Sequence, residues 1–474
     1  MTMPIRFGTE GWRGVMGEEF TFHNVRLVTQ AIAEHFLSPA RRRTRPPTVA
    51  VGFDTRFLSD QFARAVCEVL AGNRIRTILS DRAVPTCAVS RCVVAHRLSA
   101  GIVITASHNP PIYNGIKVKE AYGGSATVET VASIERRIGR SRVRRAPFQE
   151  ARADGVIRQA DFLPAFVQGI RSFVDLPAIR RSSIHVIADA MHGAADRLIE
   201  TLLAGGRCRI ETIRAEPDPR FGGQAPEPIA SHLMPLSRAV RRHRADLGIA
   251  NDGDADRLGI IGPDGRWLNP GQVMCLLLTH VVKTRGAAGT VVKTVSNTMM
   301  INRIAEALGL RLLEVPVGFK HIAKLMREDT VLIGGEESGG IGVRGYLPER
   351  DGIVNGLLVL EAMAHAGKTL AALLRELERR YGRWFYDRRD LHLTMPQVER
   401  LFQRLRTSPP DRIAGMPVDA INRLDGVKLI GRDESWLLFR RSGTEPIVRV
   451  YAESPVRQRL SRLLDLGVRL TKTA

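Results

Sequence analysis

Lysine, cysteine and aromatic side chains are all scarce in this chain of 474 residues, and it has no long hydrophobic run. Each shortage excludes something. The five cysteines, Cys67, Cys87, Cys92, Cys208 and Cys275, are scattered and odd in number, which argues against a disulfide framework. Cys87 and Cys92 lack a zinc-site spacing, so all five read as small buried hydrophobes. Aromatics make up 5% of the chain, too few for an evident base-stacking platform. No stretch approaches the length of a membrane span, and the opening MTMPIRFGTE does not read as a signal peptide. The expectation is a cytoplasmic protein with no membrane partner, a monomer or a homodimer.

Charge is not scarce, but it is one-sided. Seventy basic residues face 49 acidic ones, a net +21, and only nine of the basic residues are lysine. Such a balance suits nucleic acid or an anionic surface. The basic residues are spread along the chain, however, apart from modest runs at Arg41–Arg45 and Arg136–Arg145. A general bias to arginine is the plainer account, and no nucleic-acid partner is expected. A non-enzymatic anion-binding or nucleic-acid-binding role stays as the remote alternative. Against this background Lys117, Lys293 and Lys320 stand out, because each sits in a motif-like segment.

The length implies three or four domains, and a 44% hydrophobic content supplies their cores. Strand-like apolar runs alternate with helical periodicity, as in Thr48–Phe53 followed by Ser59–Ala71, and Thr290–Lys293 followed by Asn302–Leu308. That rhythm predicts an α/β fold with mixed, mostly parallel sheets covered by helices. The basic, irregular stretch Arg140–Asp154 reads as a linker. From Leu391 the order strand, helix, strand, strand, helix suggests a smaller α+β domain.

Four loops carry the chemistry. Asp252-Gly-Asp254-Ala-Asp256-Arg257 follows the strand-like Asp246–Ala250 and sets three carboxylates at alternate positions. They repel one another unless a hard cation lies between them, and oxygen-only ligation points to Mg²⁺ rather than zinc. A solvated acidic turn is the alternative. A calcium EF-hand is excluded, because Pro263 stands where its bidentate Glu belongs. Thr105-Ala-Ser107-His108-Asn109-Pro110-Pro111 follows the strand GIVIT, so Ser107 lies at the carboxyl end of a strand, where open α/β sheets bind ligands. Ser107 is a candidate nucleophile or phosphate carrier. Lys117 follows closely as a candidate proton carrier, or a plain surface lysine. Gly334–Gly340 sets Glu336, Glu337 and Ser338 in a glycine frame suited to sugar hydroxyls, or to an ordinary turn. Arg440-Arg441-Ser442-Gly443-Thr444-Glu445-Pro446, with Arg449 downstream, has the makings of a phosphate nest.

Taken in order, TASHNP, DGDADR, GEESGG and RRSGTEP resemble the signature of the α-D-phosphohexomutases, the phosphoglucomutase/phosphomannomutase superfamily. The resemblance begins at Phe7-Gly-Thr-Glu10-Gly-Trp-Arg13-Gly14 and covers nearly the whole chain. It implies three similar α/β domains and a smaller C-terminal α+β domain around a central cleft. The expected divisions are 1–150 with the phosphoserine loop, 151–257 with the metal loop, 258–383 with the sugar loop and 384–474 with the phosphate loop. It implies a phosphorylated Ser107 that completes an Mg²⁺ site made by Asp252, Asp254 and Asp256. Arg13, His108 and Lys117 would surround the transferring phosphate, with Lys117 the acid/base, and Arg257 would sit beside the metal loop. Lys293, Lys320, Glu336 and Ser338 would meet the substrate. Arg440, Ser442, Gly443, Thr444 and Arg449 would hold its other phosphate.

The activity implied is exchange of glucose 1-phosphate and glucose 6-phosphate through a hexose 1,6-bisphosphate. Glu337 and the Val317-Gly318-Phe319-Lys320 segment resemble the glucomutase form, whereas phosphoglucosamine mutases usually carry glutamine at the position of Glu337. Mannose phosphates come second and glucosamine phosphate third. A phosphatase using the same serine with water as acceptor is not suggested by any residue.

Overall fold

The computed structural model describes residues 5–8, 11–38, 46–286, 288–328, 331–441 and 447–472. The chain divides into two compact units, one of Met1–Leu268, Ala323–Thr330 and Ser338–Leu370, the other of Asn269–Ile322, Val331–Glu337 and Ala371–Ala474.

The first unit holds two mixed sheets. In one, the strands run in the order Trp12–Val15, Tyr113–Glu120, Ala100–Ile104, Thr48–Phe53, Arg76–Ser80 and Ile157–Ala160. The last four are mutually parallel, while Tyr113–Glu120 runs antiparallel to both its neighbours. Every residue of Ala100–Ile104 is buried, which is why this strand reads as an unbroken apolar run rather than an alternation. The helix Phe22–Leu37 covers one face. Its Val25, Val28, Ile32 and Phe36 recur at helical spacing and are buried with Val49, Val51, Ile102 and Ile104 in one core. Each such side chain contributes roughly 1.5–3 kcal/mol by leaving water. Thr21 starts the helix by accepting the amide of Asn24 at 3.2 Å.

The second sheet of this unit is ordered Trp267–Leu268, Leu258–Ile261, Leu247–Asn251, His185–Asp189 and Arg209–Ile213. Leu247–Asn251 is buried throughout and ends at Asp252. The helix Gly352–Ala366 starts against the turn that follows. Asp351 caps it by accepting the amides of Ile353 and Val354, both at 3.0 Å.

In the second unit, Arg311–Val315, Thr290–Thr294 and Val331–Gly335 form parallel pairs. The remainder is an antiparallel six-stranded sheet ordered Phe385–His392, Ile447–Ser454, Trp436–Arg441, Val427–Gly431, Met416–Asn422 and Arg412–Ile413. The helices Met395–Thr407 and Arg457–Lys472 pack on it through Leu401, Phe402, Leu460 and Leu463. Among the described residues no single helix is long and apolar enough to cross a membrane.

Several sequence expectations need correction. Arg140–Asp154 is not wholly a linker, because Phe148–Ala153 is helical and the following Ile157–Ala160 completes the first sheet beyond residue 150. A division at 257/258 would cut the antiparallel pair of Leu247–Asn251 with Leu258–Ile261, so the sheet continues to Leu268. The C-terminal region has more strands than its apolar runs suggest, since Phe385–His392 and Met416–Asn422 are polar and partly exposed.

Gly352 offers a test of this packing. A Cβ there would lie 2.1 Å from the Arg257 carbonyl oxygen, which is backbone and cannot swing aside. Gly352→Ala is expected to cost about 1–3 kcal/mol, as overpacking does. A lowered urea midpoint at unchanged slope would report it; an unmoved midpoint would mean the helix start is looser than the structure has it.

Candidate active site

Two strand ends in the first unit bring the serine loop and the carboxylate loop together. Ser107 is fully buried and has a φ of 54°, in the left-handed region that a non-glycine residue occupies at a cost of about 1–3 kcal/mol. Its amide donates to Thr105 Oγ1 at 2.8 Å, and its hydroxyl donates to Asp252 Oδ2 at 2.8 Å. His108 Nδ1 lies 3.4 Å from the same hydroxyl. The loops approach this closely because residue 253 is glycine: a Cβ there would sit 2.7 Å from the Ser107 carbonyl oxygen.

Asp252, Asp254 and Asp256 are all buried, and each offers a carboxylate oxygen within 4.8 Å of the other two. Burial first, and then the charges of Asp256 and Asp254, push the Asp252 carboxyl up to about 7. Burial pushes Asp256 the same way, but the neighbouring Arg350 and Lys117 outweigh it and hold that carboxyl well below its ordinary value. Lys117 Nζ donates to Asp254 Oδ2 at 2.7 Å and to Asp256 Oδ2 at 2.6 Å. Arg350 Nη2 donates to Asp256 Oδ2 at 2.9 Å, and Thr86 Oγ1 to Asp254 Oδ2 at 2.6 Å. The other oxygens, Asp254 Oδ1 and Asp256 Oδ1, are buried with no hydrogen-bond partner. Orphaned carboxylate oxygens in the interior are expensive. An all-oxygen set with open lone pairs fits a hard divalent cation such as Mg²⁺.

The cations expected around the serine are also in this unit. Arg13 Nη1 donates to Asn109 Oδ1 at 2.5 Å. The Arg257 amide donates to Asp252 Oδ1 at 3.0 Å, and its guanidinium lies 3.9 Å from Glu227. Burial, then Arg257 and Arg13, hold the His108 imidazolium well below its ordinary pKa, so this ring is neutral at pH 7. Ser338, also in the first unit, has a buried hydroxyl oxygen without a hydrogen-bond partner.

The remaining expected residues lie in the second unit. Glu336 is buried and Lys320 half-buried, and Glu337 Oε2 accepts Thr294 Oγ1 at 3.1 Å. Lys293 is wholly interior. Its ammonium donates to the Thr298 carbonyl at 3.1 Å and lies 3.4 Å from Glu314. Arg440 and Arg449 face each other directly across the strands Trp436–Arg441 and Ile447–Ser454. Like charges in that register are destabilising unless an anion or carboxylate intervenes. Asp425 takes Arg440 Nε at 2.7 Å, whereas Arg449 Nε has no hydrogen-bond partner and lies 3.8 Å from Asp390. Ser442, Gly443 and Thr444 lie outside the described residues.

Sequence reasoning missed Thr86, Arg350, and the pair Asp54 and Arg56. Asp54 and Arg56 had a signal: they directly follow the strand Thr48–Phe53, parallel neighbour of the strand that leads to Ser107. Arg350 had none, because 94 residues separate it from Asp256.

A serine hydroxyl on a carboxylate cluster, with cations arrayed around both, is a phosphoryl-transfer arrangement. Comparison with known proteins agrees. Three family models match: phosphoglucomutase/phosphomannomutase alpha/beta/alpha domain I over residues 4–144, domain II over 164–265 and domain III over 269–381. The chain is 30% identical to a phosphoglucomutase/phosphomannomutase of Thermococcus kodakarensis, covering 99% of this chain and 98% of the relative. It is 30% identical to a phosphoglucosamine/phosphogalactosamine mutase of Sulfurisphaera tokodaii, over 94% and 95% of the two chains. A crystal structure from Thermus thermophilus with a provisional phosphomannomutase name superposes at a TM-score of 0.87, with 34% identity and full coverage of both chains. The chain belongs to the phosphoglucomutase/phosphomannomutase family, within the α-D-phosphohexomutases. It is accordingly an enzyme of intramolecular phosphoryl transfer, acting on a hexose phosphate whose sugar these names leave open.

Two outcomes test the electrostatics. Asp254→Asn and Asp256→Asn should each weaken Mg²⁺ binding at least about tenfold by calorimetric titration; undiminished affinity in both would remove the cation from this loop. In the second unit, burial and then Lys293 push the Lys428 ammonium down to about 7. An unfolded lysine titrates near 10.4. Between those values only the unfolded chain carries this proton, so the group adds stability as pH rises. The melting temperature of the wild type minus that of Lys428→Met should therefore grow from pH 7 to 9, and a constant difference would refute the assignment.

Proposed function

We propose that the chain interconverts glucose 1-phosphate and glucose 6-phosphate through a phosphorylated Ser107 and a hexose 1,6-bisphosphate. The observation that carries this reading is the 2.8 Å contact of Ser107 Oγ with Asp252 beside two orphaned carboxylate oxygens. Asp252, Asp254 and Asp256, joined by a phosphoserine oxygen, would hold Mg²⁺. Bound there, the ion would offset negative charge on the transferring phosphoryl group.

The chain's own residues account for the rest. The bond from phosphorus to Ser107 Oγ breaks as a bond to the free sugar hydroxyl forms; the sugar hydroxyl gives up its proton to a nearby base, and Ser107 Oγ gains one as it leaves as a hydroxyl. Lys117 is the proposed carrier of that proton: a cation engaging Asp254 and Asp256 would take over the two contacts its ammonium makes, and as a neutral amine it would accept the hydroxyl proton and pass it to Ser107 Oγ. Neutral His108 can share a hydrogen bond with the serine oxygen without adding charge. Arg13 supplies positive charge for the equatorial phosphoryl oxygens, and Arg257 adds its charge beside the carboxylate loop. The bisphosphate then turns end for end and returns its other phosphate to Ser107.

Glu336, Ser338 and Lys320 are each proposed to meet the sugar, and Lys293 acts from the interior by fixing the loop at Asn297 and Thr298. Arg440 and Arg449, together with Ser442, Gly443 and Thr444, form the proposed anchor for the phosphate that is not reacting. The opposed arginines support it, because an anion relieves their repulsion. Glucose and mannose differ only in configuration at carbon 2, so mannose phosphates are proposed as secondary substrates. Several similar relatives carry a phosphoglucosamine mutase name, which keeps glucosamine phosphate as the third.

The test is turnover on glucose 1-phosphate, mannose 1-phosphate and glucosamine 1-phosphate, with Mg²⁺ and a trace of hexose 1,6-bisphosphate. Glucose 1-phosphate should give the highest kcat/KM, and Ser107→Ala should abolish turnover. A different leading sugar would replace the substrate assignment; activity surviving in Ser107→Ala would overturn the serine-carried route.

A further inference from the structure

We infer that Arg56, backed by Asp54, is the positioning residue that fixes the Ser107 loop in its phosphoryl-carrying geometry. The inference rests on the proposed role of Ser107. The Arg56 side chain is wholly buried, and its donors are fully engaged. Nη2 donates to the carbonyls of Ser107 and Asn109, both at 2.7 Å. Nη1 donates to the carbonyls of Pro110 at 2.9 Å and Tyr113 at 3.0 Å. Nε donates to Asp54 Oδ2 at 3.2 Å. One planar guanidinium thus gathers three carbonyls of the serine loop and one at the start of the strand that follows, a task its rigid fork suits and an ammonium does not. The ring of Phe221 lies 4.9 Å from the guanidinium carbon and closes off its face.

Asp54 reaches the other side of the serine. Its Oδ2 accepts Thr105 Oγ1 at 2.6 Å, and Thr105 Oγ1 in turn accepts the Ser107 amide at 2.8 Å. Its Oδ1 accepts the Arg56 amide at 3.0 Å and Ser59 Oγ at 2.9 Å. The amide of Ser107 is therefore tied through Thr105 to Asp54, and its carbonyl directly to Arg56. A residue in the left-handed region stays there only if its surroundings over-determine it, and this pair does so from both peptide groups. A buried ion pair is a poor device for stability alone, since an apolar replacement often serves as well. Here it serves geometry. With no donor left for a ligand, Arg56 acts on the reaction through the serine and not through the sugar.

The experiment compares Arg56→Lys, Thr105→Val and wild type in the holoenzyme with Mg²⁺. Phosphate on Ser107 after exposure to glucose 1,6-bisphosphate is quantified by mass spectrometry, so turnover is expressed per phosphorylated serine. Arg56→Lys should lower that kcat on the order of 10²-fold, the cost of a displacement of about 1 Å. Thr105→Val should lower it at least about tenfold, since it removes two buried hydrogen bonds, one to Asp54 and one from the Ser107 amide. The KM for glucose 1-phosphate should change little in both. A merely structural role would lower Tm and the folded fraction while leaving kcat per phosphorylated serine at the wild-type value. That result in both variants, or a fall confined to KM, overturns the inference. If Arg56→Lys does not fold, Thr105→Val alone decides. Ser107→Ala in the same series separates this outcome from failure of the serine-carried route, because only that failure leaves Ser107→Ala active.

Discussion

Three carboxylates buried within reach of one another are the constraint to which the first unit answers. Left alone they would not all ionise, because like charges in a poorly polarisable interior repel at several kcal/mol per pair. The chain divides the problem. Asp256 is kept ionised by Lys117 and Arg350, Asp254 takes Lys117 and the Thr86 hydroxyl, and Asp252 is left with the serine hydroxyl, the Arg257 amide and a raised pKa. The cluster is thus partly neutralised by fixed cations and partly left short of positive charge. That shortfall is what a divalent ion would remove, and two orphaned oxygens show where the ligands remain open. Fixed cations sufficient to neutralise the cluster fully would give a stabler loop with no appetite for a metal.

How much of this was legible in the sequence depends on the distance over which a signal must act. The alternation of apolar runs and the loops after them are local, so Ser107 and the three aspartates could be found at strand ends before any contact was known. Fold class followed for the same reason. Boundaries failed where a sheet recruits a strand from beyond a polar stretch. Ile157–Ala160 is exposed at Arg158 and Gln159 and pairs only with Arg76–Ser80, so its sequence is nearly silent. Arg350 was invisible because nothing local distinguishes one arginine among many. Arg56 was overlooked for a different reason. Loop-centred reading looks for side chains that meet a ligand, and this one meets only carbonyl oxygens and the carboxylate beside it.

The same logic explains where the chain spends its few lysines. Surface positions are mostly given to arginine, yet Lys117, Lys119, Lys293 and Lys428, four of the nine lysines, are buried. Each has a carboxylate nearby: Lys117 on Asp254 and Asp256, Lys119 on Glu349, and both Lys293 and Lys428 within 4 Å of Glu314. An ammonium is a compact charge with three donors in a tripod, and it can be enclosed where a planar guanidinium would need a slot. Lys428 uses this by placing its charge 4.4 Å from the centre of the Trp436 ring while donating to the Val295 carbonyl at 2.7 Å. Among the described residues, Arg56 and Arg350 are the interior exceptions. Arg56 must reach four carbonyls in one plane, and only a guanidinium has the donors to do it. In a chain whose composition drifts toward arginine, a buried lysine marks a place where shape forbids the drift. A buried arginine marks a place where the fork itself is needed, and Arg56 meets that need directly beneath the serine.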